Sequence, residues 1–267
     1  MAKYKKKRAR QLQHDRFRDT AMTVFDRFGD RLEGRGRTIL YVLAGIVIAV
    51  ALGLFFIRWN HRKTDEARRA LGRAITIAVT PVSPTTPSTP TSPSFTSEQE
   101  RAQKSIEEFQ KVAAKYGEPY RSEARYFAAT NMLTVDRAKA LAELRELSKS
   151  SNADVAALAK FALAQALEAD TKYDEAAQLY RELASSGAQV ITPETANLRL
   201  ALVYSKQGKK KEAADLLFNI VDASRKAKGS DQMPLPPSGA ATDAASELQK
   251  LDPERYAQLP PEAPALG

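Results

Sequence analysis

No cysteine occurs among the 267 residues of this chain. Structural disulfides, thiol nucleophiles and a lipid-modified N-terminal cysteine are thereby excluded. The redox compartment stays open, because a chain without thiols suits either one. Histidine is almost as scarce, and the two present, His14 and His61, flank the longest apolar run. The Ala- and Leu-rich part of the chain has neither His nor Cys, so the usual zinc sets cannot assemble there. No glycine-rich phosphate loop is present, and strand-like alternation is missing. Carboxylate pairs such as Glu107-Glu108 and Asp174-Glu175 fall on helix faces expected to be solvated. Catalysis needs a positioned acid, base, nucleophile or metal. The expectation is a binding protein and not an enzyme, with no catalytic residues, no cofactor and no metal.

What the chain does have is unevenly placed charge. The formal net charge is +9, with a pI near 9.6. Residues 1–37 carry 12 Lys/Arg against 5 Asp/Glu, and residues 58–80 carry 6 against 2. The remainder after residue 80 is close to neutral and shows no basic stripe, which argues against a nucleic-acid partner. The basic residues flank one uncharged stretch, "TILYVLAGIVIAVALGLFFI", residues 38–57. Twenty helical residues rise roughly 30 Å, the hydrocarbon thickness of a bilayer. The sequence therefore predicts a transmembrane helix. Ala49-Val50-Ala51 also fits a signal-cleavage pattern, but the apolar run continues through Phe55, Phe56 and Ile57. Tyr41 and Trp59 near its ends suit the membrane interface. More Lys/Arg before the span than after it places the N-terminus in the cytoplasm and the C-terminal bulk outside, in a single-pass topology. The basic flanks suit anionic membrane lipids. Gly45, Ala49 and Gly53 recur every four residues, a spacing for helix packing that implies a homo-oligomer through the membrane helix.

The flanking segments follow from periodicity and composition. Within the basic segment 1–37, Phe17, Ala21, Val24, Phe25, Phe28 and Leu32 share one helical face. That stretch reads as an amphipathic helix on the cytoplasmic membrane surface, or as a docking helix for a partner. Residues 58–80 read as a juxtamembrane helix. Residues 81–97 hold five Pro and ten Ser or Thr, and read as an extended stalk. At about 3.1 Å per residue such a stalk reaches about 50 Å. Residues 228–267 are rich in Pro, Gly, Ala and Ser and are expected to be mostly disordered, apart from a short helix near residues 241–250.

Residues 98–227 are expected to be helical and internally repeated. Three stretches align on a small residue opening each second helix: Ala140, Ala176 and Ala213, at steps of 36 and 37. Twelve residues before each stands another small residue: Ala128, Ala164 and Ala201. Phe127, Leu163 and Leu200 precede those. Small residues let antiparallel helices approach, and stacking buries the face each pair leaves over. An ordinary helical bundle with an alanine-rich core is the alternative.

These residues resemble the tetratricopeptide repeat. Leu200, Ala201, Tyr204, Gly208 and Ala213 match its motif in the last copy, and Leu163, Ala164, Tyr173, Ala176 and Tyr180 in the middle one. Leu167 stands where the motif has an aromatic, Thr171 where it has the turn glycine, and the first copy is degenerate. The resemblance implies an all-α helical-hairpin solenoid of about 3.5 repeats, behind a single N-terminal transmembrane helix. The whole-chain layout and "QLQHDRFRDT…GRGRTILYVLAG" resemble the YfgM-like proteins of the bacterial inner membrane. That resemblance implies a protein-binding adaptor or scaffold of the cell envelope, with its repeat domain in the periplasm. It implies the secretion translocon or periplasmic chaperones as partners. A chaperone-like holder of secreted chains and a structural tether to the cell wall are the alternatives. By alignment to the repeat, a protein-binding groove would be lined by Arg125, Ala129, Phe161, Gln165, Glu168, Leu198, Leu202 and Lys206.

Overall fold

The computed structural model describes residues 48–52, 63–83, 94–230 and 232–261, in a chain that divides into two units, Met1–Thr64 and Asp65–Gly267. The basic segment 1–37 and most of the apolar run lie outside the described residues, Gly45 and Gly53 among them. Residues 48–52 are helical and exposed, including Ala49. No helix among the described residues is long and apolar enough to cross a membrane.

The second unit is all-helical among its described residues. Helix α1 (63–78) enters it. There follow α2 (Glu98–Lys115), α3 (Tyr120–Val135), α4 (Arg137–Leu147), α5 (Ala153–Ala169), α6 (Tyr173–Ala184), α7 (Pro193–Lys206), α8 (Lys210–Lys226) and α9 (Gly239–Leu251), then one short turn of helix, Pro253–Tyr256. From α2 onward each helix packs chiefly on its neighbours in the chain, and contacts between more distant helices are few. The core is therefore a row of local interfaces in three clusters, centred on α1–α3, on α4–α7 and on α7–α9.

The repetition is sharper in the structure than in the sequence. In α2, α4, α6 and α8 the same four positions are buried: Ser105, Ile106, Phe109 and Val112; Ala140, Leu141, Leu144 and Leu147; Ala176, Ala177, Tyr180 and Leu183; Ala213, Ala214, Leu217 and Ile220. The spacing i, i+1, i+4, i+7 is one helical face, and its first member recurs at steps of 35, 36 and 37 residues. That member is fully buried in every copy and always small. Ser105 serves because its hydroxyl donates to the Arg101 carbonyl at 2.7 Å, leaving no polar atom unsatisfied.

Helix ends alternate between two devices. Entries into α2, α4, α5, α7 and α9 carry a side-chain cap from Ser97, Asp136, Asn152, Thr192 and Ser238 respectively, each worth about 1 kcal/mol. The turns α5–α6 and α7–α8 instead close on a left-handed residue. Thr171 has φ 59° and Gly208 φ 76°. Lys172 N–H donates to Leu167 O and Thr171 N–H to Glu168 O; Lys209 N–H donates to Tyr204 O and Gly208 N–H to Ser205 O. Both are Schellman motifs, 37 residues apart. Thr171 thus takes the backbone conformation of the glycine it replaces.

Three expectations change. The first copy's register moves by one: the small residue equivalent to Ala164 and Ala201 is Ala129, fully buried in the α4–α7 cluster, whereas Ala128 faces the α1–α3 cluster. Two adjacent alanines left the sequence alignment free to slip. Second, the segment 81–97 does not form a 50 Å stalk. Ser83 N–H donates to Phe95 O at 3.0 Å, Val82 and Phe95 form an isolated bridge, and Arg101 Nη1 reaches Thr80 O at 3.3 Å. Phe95 is buried. The ends of the segment are pinned together, so it is a loop between α1 and α2. Its composition excludes a core but does not choose between spacer and loop; the apolar residues at its two ends choose. Third, α1 is part of the folded unit: Ala67, Leu71 and Ala74 pack against Phe109, Val112, Tyr116 and Ala124. Near the other end, α9 is thirteen residues long and buries Ala241, Ala244 and Leu248 on α7 and α8.

Candidate functional site

The eight positions expected to line one groove fall into three places. Arg125 is exposed on α3 and donates from Nε to Glu143 at 2.6 Å, beside the buried Ala129. Leu198 is buried and Leu202 half-buried, both facing α9. Phe161, Glu168 and Lys206 belong to a third locality, and Gln165 is exposed between them in sequence. The slip at Ala128-Ala129 and the seating of α9 are the physical reasons that one continuous lining does not form.

Around Arg125 lies a groove of about 410 Å³ with a floor of Ala113, Ala128, Ala129, Met132 and Ala142 and a rim that includes Gln110 and Glu146. It sits between α2, α3 and α4. A second groove of about 460 Å³ sits between α6, α7 and α8, lined by Arg181, Ala184, Asn197, Leu200, Tyr204 and Asp215 among others. The two are structurally equivalent. Gln110 and Ala113 correspond to Arg181 and Ala184, two repeats on, and Met132 corresponds to Tyr204. At the intervening position, between α4, α5 and α6, two ion pairs cross: Lys160–Glu182 at 2.7 Å and Arg145–Glu175 at 3.9 Å. The array therefore presents equivalent polar-rimmed grooves two repeats apart. A third depression, between α7 and α9, holds Leu198, Leu202, Asp243 and Lys250.

The third locality is a buried polar network. The Glu168 side chain is only 5% exposed. Its carboxylate accepts from Arg199 Nη2 at 2.6 Å, Lys206 Nζ at 2.7 Å and Tyr180 OH at 3.1 Å. Phe161 packs its edge on the Tyr180 ring, with centroids 5.8 Å apart. The network ties α5, α6 and α7 together. Burial pushes the Glu168 carboxyl up, but the Lys206 hydrogen bond and the charges of Arg199 and Lys206 outweigh it, so the group sits below the usual carboxylate range. Burial pushes the Tyr180 phenol up to about 12. The carboxylate is held by donors from two neighbouring helices, so the network positions α5, α6 and α7 against one another.

Sequence reasoning missed Arg199, Gln110 and Met132. Arg199 lies 31 residues from Glu168 and carries no local signal. Met132 lies on the Arg125 face at helical spacing, i+7, and that spacing could have found it. Among the described residues no group of three or more His, Asp or Glu is gathered to hold a metal. Comparisons of the chain with protein-family models, with curated proteins and with solved structures return no match.

Proposed function

We propose that this chain is a membrane-anchored, non-enzymatic adaptor of the bacterial cell envelope, a tetratricopeptide-type solenoid that binds protein partners outside the inner membrane. The observation that carries the reading is the helical array itself: one buried pattern recurring at 35–37 residues, with equivalent open grooves two repeats apart. Such arrays expose extended binding surfaces and hold them rigid. The anchor rests on the uncharged twenty-residue run and its basic flanks, and the YfgM-like resemblance supports the envelope setting. Partly apolar floors with mixed-charge rims suit an extended or helical peptide.

Photocrosslinking in intact cells tests this, with a photoreactive residue placed at Gln110 and, separately, at Arg181. Both are exposed on groove rims. One dominant envelope protein captured from both sites supports a dedicated scaffold. A broad set of newly exported chains moves the function to a chaperone-like holder. Capture from neither site, with the chain retained on isolated cell wall, selects the structural tether.

A further inference from the structure

The loop closure at Val82 and Phe95 changes where the folded unit must lie if the chain is anchored. The uncharged run ends at Ile57 and α1 begins at residue 63, with only 58–62 between. Even fully extended, that link spans about 20 Å. The Pro/Ser/Thr-rich segment adds no reach, because Ser83 and Phe95, near its two ends, are hydrogen-bonded to each other. An anchored run would therefore limit how far the start of α1 can stray from the bilayer to about 20 Å.

The composition of α1 fits that position. One stripe, Ala67, Leu71 and Ala74, is buried against α2 and α3. The opposite stripe presents Arg68, Arg69, Arg73 and Thr76, all exposed, and Val79 follows at 68% exposed. Asp65 is the carboxylate on that stripe, and Glu66 is taken up by Lys115 at 2.6 Å. Among the described residues none of the three arginines has a carboxylate within ion-pair distance; Arg73 acts on Glu66 only at longer range. Three guanidinium groups on one face, two of them at i and i+4, repel one another and destabilise the isolated helix. A surface of anionic head groups relieves that repulsion.

We infer that the Arg68–Arg69–Arg73 face of α1 docks on anionic lipid head groups and lays the repeat array against the membrane surface. This rests on the anchored reading above. At about fivefold per basic residue near an anionic surface, three arginines shift the docked-to-free ratio on the order of a hundredfold.

The absence of cysteine makes the test direct. The full chain carries a single fluorophore on Thr76→Cys, or as a control on Asp243→Cys in α9, and is reconstituted into vesicles with a quencher on the lipid head group. Vesicles are phosphatidylcholine alone, or with a third of phosphatidylglycerol. Docking predicts strong quenching at residue 76 in anionic vesicles and little in neutral ones. The quenching falls to the neutral level in R68E/R69E/R73E, falls partway in R68Q/R69Q/R73Q, and is lost at about 0.5 M salt, where the Debye length is roughly 4 Å. Residue 243 is not quenched in either. Equal quenching at residue 76 in both lipids, unchanged by the substitutions, overturns the inference. Flotation with neutral vesicles reads the anchor separately. A chain that floats only with anionic vesicles, and no longer does so after R68E/R69E/R73E, loses the anchor but keeps the face. A chain that floats with neither loses both.

Discussion

Replacing Glu168 is the most demanding test of how the array holds its shape. The carboxylate accepts three hydrogen bonds, two of them from cations, at 2.6 to 3.1 Å. Breaking a buried ion pair by removing one partner costs about 3–5 kcal/mol, because the other charge is left uncompensated. Here the cations keep some water: the Arg199 and Lys206 side chains are 30% and 51% exposed. Lys206 therefore behaves as a surface partner and contributes under about 1 kcal/mol. Glu168→Gln retains one acceptor and the volume, so its cost falls to about 2 kcal/mol; Glu168→Ala adds a cavity and an orphaned Tyr180 hydroxyl and reaches about 3–4 kcal/mol. Urea unfolding of the full chain in detergent, followed by helical circular dichroism, measures both. The sign with pH follows from the depressed Glu168 pKa. Its contribution is fully present above the unfolded carboxyl value of 4.5 and is lost as pH falls through the lower folded value. The gap between the parent chain and Glu168→Gln is thus full at pH 7 and narrows below about pH 4.5. A Glu168→Gln chain within 0.5 kcal/mol of the parent at pH 7, by the scale of ordinary surface substitutions, refutes the network as a structural clamp.

The remaining predictions concern backbone and topology. Thr171→Gly removes a β-branched side chain from the left-handed region and is expected to stabilise by about 0.5–1 kcal/mol, while Gly208→Ala at the equivalent turn destabilises by about 1–2 kcal/mol; opposite signs in thermal melts are the check. Spin labels on Ser83→Cys and Thr96→Cys are expected within about 20 Å by pulsed resonance, against about 40 Å for an extended segment of that length. Leu248→Asp, at a fully buried position, is expected to detach α9, and hydrogen exchange should show protection lost over α9 and the facing side of α7 while α4–α6 keep theirs.

The fold was legible where side-chain size repeats and illegible where two readings share a composition. Ala140, Ala176 and Ala213 stand at the first buried position of three alternate helices, α4, α6 and α8, because only a small residue fits there, and their spacing survives in the structure. The matching position in α2 is Ser105, and a search for alanine passes over it. The slip at Ala128-Ala129 has the same origin: either alanine satisfies the pattern, and only the packing of α2 against one and of the α4–α7 cluster against the other separates them. For the candidate site, the alignment named Arg125 and Ala129, which lie on α3, and Leu198 and Leu202, which lie on α7. It could not see that α9 lies against the last two, because α9 is short and follows a Pro-rich stretch.

Thr171 shows how far a repeat can depart from its pattern and still fold. Its side chain should favour an extended or right-handed backbone, yet it holds φ 59° with both Schellman hydrogen bonds made. The cost of that conformation, about 1–2 kcal/mol, is carried by what the turn brings together. Leu167 on one side and Ala176 on the other are both buried in the central cluster, and one turn further along α6 Tyr180 reaches back to Glu168. Turn geometry here follows from the packing of the two helices. Equivalent grooves then appear at α3 and α7, and at α5 Lys160–Glu182 and Arg145–Glu175 cross the same position. The backbone repeat sets where a groove can form, and the rim side chains, such as Arg125 paired with Glu143, set what it presents. Selection for binding would therefore act on a few rim residues, while the buried small positions keep the array in register.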